Sequence, residues 1–123
     1  MTVRRFVVPI TVDASGDAEE YTPPIYGHLE SIRYVKDDFA DGIDFVVTLE
    51  TTGETVWSEE SVNASATRYP RAATHSTAGV AALYAAGEPG VLDRIAISGD
   101  RIKIVVADGG TSTSGTLHIT IDG

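Results

Sequence analysis

Apolar side chains recur at every second position through most of the chain, the period of a strand with one face buried. Phe6, Val8, Ile10 and Val12 make the first such stripe. Pro9 lies on the opposite parity and has no N–H to donate, which predicts an edge position or a bulge for this strand. A second strand is expected over 29–36, with Ile32 and Tyr34 on one face. The clearest alternation is Ile43, Phe45, Val47 and Leu49, interleaved with Asp44, Thr48 and Glu50. Thr52, Gly53 and Glu54 then turn the chain into a strand over 55–58, making a hairpin in which Trp57 is a large core or interface anchor.

The last third repeats the pattern. Ile95 and Ile97 precede a turn at Ser98, Gly99 and Asp100, and Ile102, Ile104 and Val106 alternate with Arg101 and Lys103. Residues 108–115 (DGGTSTSG) form a turn in which Gly109, Gly110 and Gly115 are able to take positive φ. Leu117, Ile119 and Ile121 complete the series. Two stretches depart from it. Residues 62–70 carry a weak pattern and are expected to be an extended loop. Residues 78–86 (AGVAALYAA) are rich in helix-favouring alanine, with Ser76 or Thr77 placed to cap and Gly87 to terminate, which predicts one short helix or a loop insertion packed on the sheet or on a partner. The expected fold class is all-β: an antiparallel β-sandwich or barrel, jelly-roll-like, with seven or eight strands.

At 123 residues the chain fits one domain, 1–123, large enough to need no metal or disulfide staple. Its hydrophobic content of 42% is that of a globular protein. Eighteen acidic residues against nine basic give a net charge of −9, which repels nucleic-acid phosphates and anionic lipid. The charge is uneven: residues 61–87 hold Arg68, Arg71 and His75 but no Asp or Glu. That stretch is either a poorly charged connection or a contact surface for an acidic partner. The absence of cysteine excludes thiol catalysis and Cys-based zinc sites. The first residues lack the apolar core of a signal peptide, and no run approaches the length of a membrane span, so synthesis in the cytoplasm is the expectation.

Motifs for chemistry fail on spacing. A calcium loop started at Asp37 would put Asp41 and Gly42 correctly, yet Phe39 falls on a ligand position and Thr48 where a bidentate Glu belongs. A solvated turn is the better reading. His28, His75 and His118 show no ligand spacing. The segment 110–115 misses the nucleophile-elbow spacing, because Ser114 replaces the second Gly. Phosphate-cradling glycine motifs are absent, and the doublets Glu19-Glu20 and Glu59-Glu60 point to opposite faces if they lie in strands. An enzyme would need Asp38, Asp41, His75 or His118 to converge in space. No catalytic, metal or cofactor residue is therefore assigned. Tyr69, Tyr84 and Trp57 could stack on sugar rings, although such residues more often fill cores or anchor interfaces.

The phrases SIRYVKDDFADGIDF (31–45), TGETVWSEESVNASATRYPRAATHSTAG (52–79) and DRIKIVVADGG (100–110), followed by Thr116, Leu117 and His118, resemble a family of small proteins encoded in the head-assembly module of tailed bacteriophages. The resemblance spans nearly the whole chain. It implies a structural virion protein, a capsid decoration or cement protein made in the host bacterial cytoplasm and placed on the outer surface of the capsid. The implied partners are the major capsid protein and further copies of the chain, as a dimer or trimer. Arg68, Tyr69 and Arg71, in the acid-free segment, are the candidate capsid or self-association contacts. The alternatives are a head-tail completion or tail protein, and a carbohydrate-binding module on the particle.

Overall fold

Residues 2–123 are described by a computed structural model. The alternating stripes fold into two antiparallel sheets that face each other across their apolar sides. The larger sheet runs β1 (Val3–Thr11), β11 (Ser114–Asp122), β3 (Ile25–Lys36) and β6 (Ala66–Arg68). β9 (Ile95–Asp100) pairs with the first half of β3, while β6 pairs with its second half. The smaller sheet runs β2 (Ala18–Tyr21), β10 (Ile102–Ala107), β4 (Asp44–Leu49) and β5 (Thr55–Glu59). A separate pair, β7 (Ala72–Ala73) and β8 (Leu92–Asp93), closes a hairpin arm. Successive strands pass repeatedly from one sheet to the other, as in a jelly-roll-like sandwich.

Register follows from parity. Val8 and Ile10 of β1, Ile32 and Tyr34 of β3, and Leu117, Ile119 and Ile121 of β11 point inward. They meet Phe45, Val47 and Leu49 of β4 and Ile102, Ile104 and Val106 of β10 in one cluster. Burying each such side chain is worth roughly 1.5–3 kcal/mol, so a one-residue slip that turned a whole strand outward would be prohibitive. An aromatic file runs through the centre: Tyr34 packs edge-on to Phe45 at 4.8 Å, and Phe45 stacks on Trp57 at 5.1 Å. Pro9 sits in β1, at the end of the larger sheet, where a missing donor does least harm.

Phe39 explains the acidic loop between β3 and β4. Its ring turns inward and caps the core against Gly115, where an added Cβ would lie 2.5 Å from Phe39 Cε2. The loop carboxylates serve the fold around it. Asp38 Oδ1 accepts from the Ser114 N–H at 2.6 Å, and Asp41 pairs with Lys36 at 2.7 Å.

Three sequence expectations change and one alternative is decided. Among the described residues eleven strands form rather than seven or eight, because β2, β6, β7 and β8 are short pairings carried by backbone hydrogen bonds without an apolar stripe. The stretch read as an extended loop over 62–70 contains β6, which adds to the edge of β3. Of the two alternatives for 78–86 the loop insertion forms, and no helix occurs anywhere among the described residues. That stretch is the tip of the arm, turned by Gly79 (φ +81°) and Gly87 (φ +76°) and held by bridges of His75 to Ala81 and Leu83 to Gly90. Alanine propensity is a weak prior, and over so few residues it yields to turn chemistry at both ends. In the 108–115 turn Gly110 takes positive φ, but Gly109 and Gly115 are required by close approach instead.

Candidate functional site

The arm leaves the sandwich after β6 and returns before β9. Its stem is fixed by charge. Arg71, at its start, reaches Glu30 with Nη2 at 3.5 Å from Oε1 and donates from Nη1 to the Glu30 carbonyl at 3.1 Å. Arg94, at its end, donates to Glu30 Oε2 at 3.3 Å and to Asp122 Oδ2 at 2.7 Å. The Asp122 hydrogen bond, with Glu30 adding to it, raises the Arg94 pKa further above its ordinary value. Glu30 lies at the bulge where β3 and β11 change register, so the irregularity in the sheet is what turns this carboxylate toward both arginines.

Beyond the stem the arm is held by hydrogen bonds within itself, most of them between backbone groups, with the Thr74 hydroxyl donating to Val91 O at 2.9 Å. Thr74 N–H donates to Val91 O, Ala82 N–H to Thr74 O, and Tyr84 N–H to Pro89 O. No residue from 72 to 93 is buried. Its large apolar side chains stand in solvent: Val80 is 65% exposed, Leu83 48%, Tyr84 74% and Leu92 59%. Scattered exposed apolar residues need no explanation, but four on one short arm make it a candidate contact element.

The three contacts expected from the sequence have different surroundings. Arg68 is held bidentate by Glu59, with Nε to Oε1 at 2.8 Å and Nη2 to Oε2 at 2.9 Å. Trp57 Nε1 donates to the same Oε1 at 3.3 Å. The Arg68 hydrogen bonds hold the Glu59 carboxyl below its usual range against the opposing effect of burial. Arg68 thus ties β6 to β5 across the open edge of the sandwich. Arg71 belongs to the arm stem. Tyr69 is 63% exposed, on the outer face of the larger sheet.

The remaining candidates stay apart on the fold. Asp38 and Asp41 belong to the β3–β4 loop, His75 to the arm, and His118 to the outer face of β11. No group of three or more His, Asp or Glu side chains suited to a metal gathers among the described residues. Sequence reasoning missed Val80, Leu83, Tyr84 and Leu92 as a set. The signal available was Gly79, Gly87, Pro89 and Gly90, turn residues too closely spaced for a helix of useful length. No protein-family model matches the chain, and no curated protein matches it.

Proposed function

We propose that this protein is a structural component of a tailed-bacteriophage particle, a capsid decoration protein that binds the shell of major capsid protein from outside. One observation carries the reading: a stiff two-sheet scaffold presents an arm whose four large apolar side chains are all classed as exposed. A bridging protein needs such an element. The sandwich resists deformation, and the arm supplies extended contact area that is buried only on assembly. The net charge of −9 suits a surface that stays in solvent and does not bind packaged DNA. The same exposed arm would also serve contact between copies, as a dimer or trimer on the shell. The protein acts here by binding and not by catalysis.

Co-sedimentation with empty shells of the major capsid protein tests this reading. The native protein is expected to pellet with the shells at saturating, stoichiometric occupancy. The double variant Leu83→Ser, Tyr84→Ser is expected to remain in the supernatant with an unchanged circular-dichroism spectrum. Equal pelleting of both proteins, or of neither, would refute it.

A further inference from the structure

Six of the nine basic side chains are held in ion pairs: Lys36 by Asp41, Arg68 by Glu59, Arg71 and Arg94 by Glu30, Arg101 by Glu50 and Lys103 by Glu19. Among the described residues, Arg4, Arg5 and Arg33 have no carboxylate in pairing distance. Arg5 and Arg33 line one groove of about 540 Å³ on the outer face of the larger sheet. Strand register sets their neighbours. One row across the face reads Val7, His118, Arg33 and Thr67; the next reads Arg5, Thr120 and Ser31, with Tyr69 beyond. No Asp or Glu lines this groove. Asp122 and Glu30, at its margin, are engaged by Arg94 and Arg71.

A chain with twice as many acids as bases therefore keeps an acid-free groove with two unneutralised guanidinium groups. Such a face attracts negative charge, while the rest of the surface repels it. The spacing restricts the ligand. Arg5 and Arg33 stand two strands and two residues apart, about 12 Å between Cα atoms from standard sheet dimensions. Acids four residues apart on one face of an extended segment stand about 14 Å apart, close enough to this separation for each arginine to take one. Apolar surface lies beside the charges: Tyr69, 63% exposed, lines the groove with Val35, and Val7, 53% exposed, stands outside it in the row of His118 and Arg33. Arg and Tyr with flanking aliphatic atoms are the contacts by which proteins hold polypeptide.

We propose that this face binds an extended acidic segment of a partner protein, with Arg5 and Arg33 each pairing one carboxylate and Val7 and Tyr69 packing against its flanks. This assignment is independent of the virion reading and concerns a surface other than the arm apolar patch.

Fluorescence anisotropy with a labelled hexaglutamate peptide at low salt tests it. The native protein is expected to bind, and Arg5→Glu with Arg33→Glu to weaken binding at least about tenfold. Arg4→Glu, which changes net charge but lies outside the groove, is expected to weaken it less than about threefold. The milder pair Arg5→Gln, Arg33→Gln should give an intermediate loss, and it keeps the test valid if charge reversal disturbs folding. Absence of hexaglutamate binding, equal losses for the Arg4 and groove variants, or tighter binding of polysialic acid or a single-stranded oligonucleotide would each overturn the proposal.

Discussion

If the arm is an appendage for binding, its excision should leave the sandwich intact. Residues 74–91 can be replaced by Asn-Gly, which suits a two-residue hairpin turn closing on the existing Ala73–Leu92 pair. Arg71, Glu30, Arg94 and Asp122 remain, so the stem keeps its ion pairs. No residue of the excised stretch is buried, so no transfer free energy is lost from the core. The connection shortens roughly ninefold, and the smaller loop-closure entropy favours the folded state by at most about 2 kcal/mol, less if the short turn is strained. Stability should therefore be unchanged or higher, by up to about 2 kcal/mol. For a domain of this size that is an upward shift in Tm of up to about 8 °C. Urea unfolding followed by Trp57 fluorescence, together with a thermal melt, measures it. A fall of more than about 1 kcal/mol would show that the arm braces the sandwich, and the reasoning that separates scaffold from binding element would fail.

Three further outcomes follow from the interior and the loops. The Tyr34 hydroxyl is buried with no hydrogen-bond partner, and burial, aided by the charge of Asp41, pushes its pKa to about 12. Tyr34→Phe should therefore be neutral or stabilising by up to about 1 kcal/mol in a urea titration; clear destabilisation would reveal a partner for the hydroxyl. Gly115→Ala places a Cβ 2.5 Å from the Phe39 ring and 3.1 Å from the Val35 carbonyl, and should destabilise by about 1–3 kcal/mol, with Phe39→Leu in the same chain recovering part of the loss. Burial pushes the Asp100 carboxyl up, but hydrogen bonds from Thr51, Arg101 and Thr52 outweigh it and hold the pKa below its ordinary value. Its contribution is present above the usual aspartate range near 4 and is lost as pH falls through the lower folded value, so Asp100→Asn should flatten the acid limb of a Tm-against-pH curve. An unchanged acid limb would contradict that assignment.

The core was legible because it depends on parity. Val8, Ile10, Phe45, Val47, Ile102 and Ile119 could be placed inward from alternation, and Pro9 could be assigned to an edge from its missing donor. What escaped depends on the third dimension. Arg68 and Arg71 lie in a stretch without acids, but Glu59 and Glu30 reach them from other strands, so composition along the chain did not reveal their partners. The Arg5 and Arg33 face needed the pairing of β1, β11 and β3, which alternation alone does not supply. For the arm a helix and a loop insertion stayed open, because Ala81, Ala82, Ala85 and Ala86 favour a helix locally, while the glycines at positive φ that fold it into turns act over only one or two residues each. Phe39 disqualified the calcium reading by its position in sequence, and the structure supplies the physical reason in its burial against Gly115.

The most direct measurement is electron cryomicroscopy of particles made by a host carrying the gene, combined with quantitative mass spectrometry of protein copies per particle. The proposed role requires density for the sandwich across the whole outer shell, hundreds of copies, with the tip of the arm seated on the major capsid protein. A small ring confined to one vertex, or particles that lack the protein altogether, would contradict it.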